Sequence, residues 1–296
     1  MTLVKTEGLW KKYCKVFKQH MPNNLFKTIF QVNLLTFFGL MICYTSANAQ
    51  SNIVGSRQPV LSRAPTSFVS ITFDDGYQSI YNNAIPILNR LKLPSTLYII
   101  TKYLTTPDPD YMNLAELQLL HKNGHEIGSH TRNHVPLNTA TPETVEHELS
   151  ASRNDLLSAG FDATSFAYPG GYYGGWITKF VQHAGYTSAR TTDFGYESNI
   201  PNAYSLKTML ITSTTKSIDI KRVIDTAIRR HQWLILVYHG IEKTVLATPG
   251  KVNYTVTKDN FAKIAKYLKE RNIRVVTVSN GMKFRDALGV TFTKHP

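Results

Sequence analysis

From Phe68 to Val278 the chain alternates short β-rich runs with stretches whose apolar residues recur at helical spacing. Phe68-Val-Ser-Ile-Thr-Phe73 reads as a strand from its β-branched and aromatic content. Ser79–Leu91 follows with Ile80, Ala84, Ile87, Leu88 and Leu91 on one helical face. The expected series continues with strand Ser95–Ile100, helix Leu114–Lys122, strand His125–Ser129 and a helix opened by Thr141-Pro142 that runs to Ala159-Gly160. Strand Thr164–Tyr168, helix Ile177–His183, strands Tyr186–Thr191 and Leu206–Ile211, helix Ile218–Arg230, strand Trp233–Tyr238, helix Lys258–Arg271 and strand Arg274–Val278 complete it. Strand–helix units of this length imply parallel strands joined by crossover helices. The fold class is therefore α/β, a single-domain distorted (β/α) barrel of about seven to eight parallel strands. No GxGxxG or P-loop points to a nucleotide-binding sheet instead.

The first fifty residues follow a different rule. Lys5, Lys11, Lys12, Lys15, Lys18 and Lys27 face one acid, Glu7, and an apolar run from Leu34 to Tyr44 leads into Ser46-Ala47-Asn48-Ala49. Basic, apolar, then small is the order of a secretory signal peptide. The apolar run is short beside the roughly twenty residues of a membrane span. The expected organisation is a signal peptide or N-terminal anchor at 1–49, a linker at 50–66, the main domain at 67–285 and a tail at 286–296. Export implies a periplasmic or extracellular location, with anchoring by the N-terminal segment as the variant reading. Both cysteines, Cys14 and Cys43, fall inside the leader, so the processed chain has no internal disulfide and rests on its own core. Without the leader it carries 27 basic against 19 acidic residues, net +8. These charges are scattered, and no basic tract with interleaved aromatics marks a nucleic-acid groove. Association with the acidic cell envelope fits the charge; nucleic acid does not.

Four polar clusters each fall just past the C-terminal end of an expected strand: Thr72-Phe73-Asp74-Asp75-Gly76, Ser129-His130-Thr131-Arg132-Asn133-His134, Ala167-Tyr168-Pro169-Gly170-Gly171 and Leu236-Val237-Tyr238-His239-Gly240. In a parallel barrel those ends share one face, where active sites collect. Singly, each has an ordinary reading as a turn or a satisfied rim histidine. Jointly, they bring two carboxylates, three imidazoles and a glycine-rich loop to one place. Two histidines and a carboxylate leave a divalent ion an open position for water, a further carboxylate can serve as base, and a separate histidine can protonate a leaving group.

Those residues resemble motifs one, two and five of the polysaccharide deacetylases, the NodB-homology domain of carbohydrate esterase family 4, over about Phe68 to Phe284. The resemblance implies a metal-dependent de-N-acetylase acting on N-acetylglucosamine-containing polysaccharide. It assigns the metal to Asp75, His130 and His134, the general base to Asp74, the general acid to His239, and an oxyanion and substrate loop to Tyr168, Pro169 and Gly170. The implied cofactor is a divalent metal, foremost Zn²⁺, with Co²⁺, Ni²⁺ and Mn²⁺ also compatible; the implied partner is the polymer, met by a monomer. Many members begin the third motif with an Arg that braces the base; this chain has Ala167 there. The Ala-Tyr-Pro form is similar to the branch acting on exopolysaccharides such as poly-N-acetylglucosamine. Arg190 is the candidate to replace the missing charge, and Asp193 the candidate for the degenerate fourth motif. Tyr77, Tyr168, Tyr172, Tyr173, Trp176 and Tyr196 crowd the same loops and suit pyranose faces. His125 reads as structural. The alternatives are a carbohydrate-binding member without catalysis, and a small-amide or cyclic-imide hydrolase using the same metal site.

Overall fold

The computed structural model describes residues 67–198, 201–245 and 253–292, so the expected leader (1–49) and linker (50–66) lie outside the described residues. Seven parallel strands close a barrel in sequence order: β1 Phe68–Phe73, β2 Thr96–Ile99, β3 Glu126–Ser129, β4 Ser165–Ala167, β5 Ser188–Phe194, β6 Leu206–Leu210 and β7 Trp233–Tyr238. β1 and β7 seal it along their whole length, from Phe68 beside Trp233 to Phe73 beside Tyr238. The crossovers are α1 Gln78–Asn83, α2 Ile85–Leu91, α3 Lys102–Thr105, α4 Leu114–Lys122, α5 Pro142–Ser158, α6 Gly175–His183, α7 Ser217–Arg229 and α8 Lys258–Glu270, and α9 Val278–Phe292 ends the series. Past β7, two short parallel strands pair, β8 Ile241–Glu242 with β9 Val256–Thr257.

Alternation along the strands sorts side chains into two cores. Val69, Ile71 and Phe73 face outward, packing with helix residues such as Ile80, Leu88, Ile224 and Phe261. Phe68, Tyr98, Ala167, Leu206, Trp233 and Ile235, drawn from five strands, meet inside the barrel. The same parity runs on into the strand ends. Asp74 continues the inward series Phe68, Ser70 and Thr72, and His239 continues Trp233, Ile235 and Val237. The period of two therefore aims these side chains over the barrel mouth.

Three sequence expectations change. The helix expected over Ser79–Leu91 is divided at Ala84 into α1 and α2. Pro86 has no N–H to offer the Asn82 carbonyl, so the helical ladder cannot run through. The strand expected at Arg274–Val278 shrinks to a single bridge, Val275 beside Val69. β1 pairs with β2 only at Thr72 and Phe73, so Val69 bonds to Arg274 O and Val276 N instead, at 2.9 and 3.0 Å. Val278 N–H then turns to Thr96 Oγ1 (2.9 Å) as α9 begins, which ends any strand and leaves seven in the barrel. Finally, α9 runs through Phe292, past the start of the tail expected at 286.

Candidate metal centre and active site

Asp74 and Asp75 leave β1 in different backbone states. Asp74 N–H still bonds to Tyr238 O across the barrel seam (2.9 Å). Asp75 takes φ 69° and Gly76 φ 82°, a left-handed pair that turns the chain sharply. Aspartate tolerates this region better than most residues, and glycine adopts it freely. The reversal sends the two neighbouring carboxylates in different directions, which suits separate tasks.

The second cluster is an irregular loop. Thr131 (φ 65°) and His134 (φ 62°) are also left-handed. Side chains hold the loop in this shape: Thr131 Oγ1 accepts His134 N–H at 2.9 Å, and Glu148 of α5 accepts both Asn133 N–H (2.8 Å) and its amide Nδ2 (2.6 Å). Arg132 pairs with Asp155, also on α5, at 3.0 Å. Glu148 and Asp155 are supports of this loop that sequence reasoning missed. The available signal was an acid, Glu148, on the apolar face of α5 with Val145, Leu149, Ser152 and Leu156.

Together the loops converge three ligand atoms. His130 Nε2 and His134 Nε2 stand 3.6 and 3.4 Å from Asp75 Oδ1, and one ligand atom from each residue lies within 4.8 Å of the others. Tetrahedral ligands at roughly 2.1 Å from an ion are about 3.4 Å apart, so the spacing fits one. Hydrogen-bond accounting agrees. His130 Nδ1 lies 2.8 Å from Ala167 O, and because a carbonyl can only accept, the ring proton sits on Nδ1 and the Nε2 lone pair points at Asp75. Burial pulls His130 down to about 4, against the partly offsetting pull of Asp75, so no proton fills that gap at neutral pH. Asp75 Oδ1 is buried with no hydrogen-bond partner among the described residues. Acceptors facing one another in a buried site call for a cation. Half-exposed His134 leaves the cluster open to solvent on one side.

Asp74 stands beside this cluster, almost fully buried. Its Oδ1 accepts from Arg190 Nη2, while Oδ2 lies 3.7 Å from His239 Nε2 and 4.0 Å from His130 Nε2. Burial lowers His239 to about 4; Asp75 raises it, and Arg190 and His134 lower it further. Tyr254 lies against the His239 ring, with centroids 5.1 Å apart.

The third cluster is placed differently from the expectation. Tyr168 is buried on the outer side of β4 among Val145, Ile177, Val181 and Tyr186, and its hydroxyl donates to Tyr204 O at 3.0 Å. Its side chain does not face the centre. Pro169–Gly171 form a short 3₁₀ turn in which exposed Gly170 takes φ 63°, and a Cβ there would sit 2.7 Å from the Tyr172 ring. Asp193 is exposed and accepts from Tyr173 OH (2.7 Å). Tyr77 lies nearer the centre, with burial and the Asp75 carboxylate raising its hydroxyl to about 12. His125 is tied to Ser95 and Asn89 at the opposite ends of the strands.

The model of the polysaccharide deacetylase family matches residues 62–189. That segment belongs to the polysaccharide deacetylase family. It contains Asp74, Asp75, His130, His134 and the Ala167–Gly171 turn; Arg190 and His239 lie beyond it. Among curated proteins, YxkH of Bacillus subtilis, which is named for this family, is 31% identical over 140 residues, covering 47% of this chain and 49% of its own. The poly-beta-1,6-N-acetyl-D-glucosamine N-deacetylase of Staphylococcus aureus is 32% identical over 121 residues, covering 36% and 41%. The chain thus spans about half the length, or less, of the curated relatives it matches. The solved peptidoglycan deacetylase PdaC from Bacillus subtilis is 15% identical, covers 77% of this chain and 96% of that one with a TM-score of 0.51, and supports the deacetylase-family fold alone.

Proposed function

We propose that this chain is an exported, metal-dependent de-N-acetylase that hydrolyses the acetamide of N-acetylglucosamine-containing polysaccharide to acetate and a free amine. The observation that carries this reading is the pairing of two adjacent carboxylates with different partners. Asp75 stands with the Nε2 atoms of His130 and His134, and Asp74 stands between a guanidinium and His239.

Asp75, His130 and His134 would hold a divalent ion, with Zn²⁺ the best match to this donor set, which would supply Lewis acidity toward the carbonyl and acidify water. Asp74 Oδ2, the oxygen not engaged by Arg190, takes the proton of the attacking water. His239, kept neutral at rest by its burial, lies next to that oxygen, takes the proton that Asp74 has removed from water and passes it to the departing nitrogen. Water thus contributes its oxygen to acetate and one proton to the amine. The Gly170 N–H, on an exposed left-handed turn, is the donor we assign to the carbonyl oxygen as it gains charge. Exposed Tyr172, Tyr173 and Trp176 offer apolar faces to pyranose rings near that turn. A binding module without catalysis has no use for a buried carboxylate beside a histidine, so these contacts favour the enzyme over its carbohydrate-binding alternative.

The name of the Staphylococcus aureus relative and the Ala167-Tyr168-Pro169 form support poly-N-acetylglucosamine as the polymer, and the basic leader supports action outside the cytoplasm. The test is acetate release from poly-N-acetylglucosamine, peptidoglycan and chitin oligomers, using metal-stripped protein and protein reloaded with Zn²⁺, Co²⁺, Ni²⁺ or Mn²⁺. Release restored by metal supports the reading; release that persists after complete chelation sinks it.

A further inference from the structure

A cleft of about 460 Å³ opens beside the site, a size in the range of clefts that take small molecules. Its walls come from three segments: the start of α1, the loop before Tyr111, and the turn after β7. Tyr77, in the first wall, lies two residues beyond Asp75, and Gly240, in the third, follows His239 directly. Hydrogen bonds tie the walls together. Gln78 N–H donates to Asp110 O (2.7 Å), and Ile241 N–H donates to Ser79 Oγ (3.3 Å). Exposed Tyr254, whose ring lies against His239, leads into Thr255 of the cleft wall.

The lining is polar and of one charge sign. Among the described residues it carries two carboxylates, Asp110 and Glu242, and no Lys or Arg. Both acids are exposed, and neither carboxylate has an ion-pair or hydrogen-bond partner among the described residues. They stand against the trend of a chain that carries 27 basic and 19 acidic residues outside the leader. A buried amide faces the same space. Asn83 is only 8% exposed and gives Nδ2 to Ile241 O (2.8 Å), while its Oδ1 has no partner among the described residues. A buried amide oxygen in that state lacks a donor that a ligand can supply.

We propose that this cleft is a subsite for a glucosamine unit of the polymer whose amine is already free, and that it directs hydrolysis to N-acetylglucosamine units near such a unit. The ammonium group meets Asp110 and Glu242, which an uncharged acetamide cannot engage as an ion pair. The sugar hydroxyls donate to Asn83 Oδ1 and bond with the Asn82 amide and the Thr255 hydroxyl of the same walls. The product of one turnover thus becomes the recognition element for the next. Asn83, Asp110 and Glu242 all lie outside the four strand-end clusters. The inference rests on the de-N-acetylase reading of the neighbouring site.

The test uses poly-N-acetylglucosamine oligomers of one length, either fully acetylated or carrying a single free amine, at pH 6, where a sugar amine is protonated. Acetate release is measured with metal-loaded wild type and with the double variant Asp110→Asn, Glu242→Gln. In wild type, kcat/KM should be about fivefold higher for the amine-bearing oligomer, the scale of two exposed ion pairs. That ratio should fall to about one in the double variant, and also in wild type as ionic strength rises from about 0.05 to about 0.5 M. By calorimetry, the fully deacetylated oligomer should bind wild type about fivefold more tightly than it binds the double variant. Equal kcat/KM for the two oligomers in wild type overturns the inference, as does a preference that survives in the double variant. If the double variant does not fold, the wild-type salt series decides, and a ratio indifferent to salt counts against the inference. A wild type that releases acetate from neither oligomer defeats the proposed function, which is a different failure; the calorimetric comparison then decides the cleft by itself.

Discussion

The two sides of the barrel mouth are built on different principles. On the β1–β3 side, short local sequences carry the chemistry. Asp74-Asp75-Gly76 and His130-Thr-Arg-Asn-His134 each pack their functional groups within five residues, and left-handed backbone at Asp75, Thr131 and His134 aims them. On the β4–β5 side, local sequence carries little. Tyr168 turns outward, Asp193 binds Tyr173 at the surface, and the group that reaches the site is Arg190, through strand register. Backbone turns can concentrate ligands in sequence. A long side chain crossing a barrel interior can come from whichever strand has a small neighbour.

The largest expected effect tests the first side. Asp75→Ala or His130→Ala should reduce bound metal from one equivalent to none and acetate release to background, with the barrel still folded. Full metal occupancy in either variant would break the picture of a ligand triad. Asp74→Asn comes next. It keeps the side-chain volume but removes the proposed base, so kcat should fall about 10²- to 10⁴-fold while metal content stays at wild type. Equal losses of metal and rate would erase the division between the adjacent carboxylates.

The pH dependence of stability sharpens the contrast between the strand ends. His125, at the far end from the site, accepts Ser95 N–H on Nδ1 and is pulled down to about 4 by burial. Its folded pKa lies below its unfolded value near 6.5, so the unfolded chain binds more protons as pH falls. The stability this residue contributes is full above about 6.5 and is lost progressively toward pH 4, about 3 kcal/mol in all. Metal-loaded wild type and His125→Gln, compared by denaturant titration at pH 7 and 4.5, should therefore converge at the lower pH. Parallel losses would assign the acid sensitivity elsewhere. The smallest effect is expected from Tyr168→Phe, which removes one bond to Tyr204 O on the outer face of β4. It should cost about 1 kcal/mol of stability and leave kcat within about twofold. A large kcat loss there would return the tyrosine side chain to the site.

Much of this was legible because period-two alternation and turn chemistry are local. The strand ending at Phe73, the strand Trp233–Tyr238 and the helices near Leu114 and Lys258 carry their own signals, and the four clusters follow from where those strands stop. Arg274–Val278 misled for a physical reason. Its β-branched run suits a strand, but it meets β1 at a single bridge, Val69 beside Val275, before Val278 N–H turns to Thr96 Oγ1. Glu148 was hidden because an acid on an apolar helix face gains meaning only when the Asn133 loop lies beside it.

The sequence by itself determined the candidate donor set, since Asp75, His130 and His134 bring their chemistry with them and an Asp-Gly turn can fold only a few ways. Tertiary structure decided which group serves the neighbouring Asp74. That depends on closure of the barrel, which sets β4 against β5, pairs Ala167 with Arg190 and leaves the buried guanidinium Asp74 as its ion-pair partner.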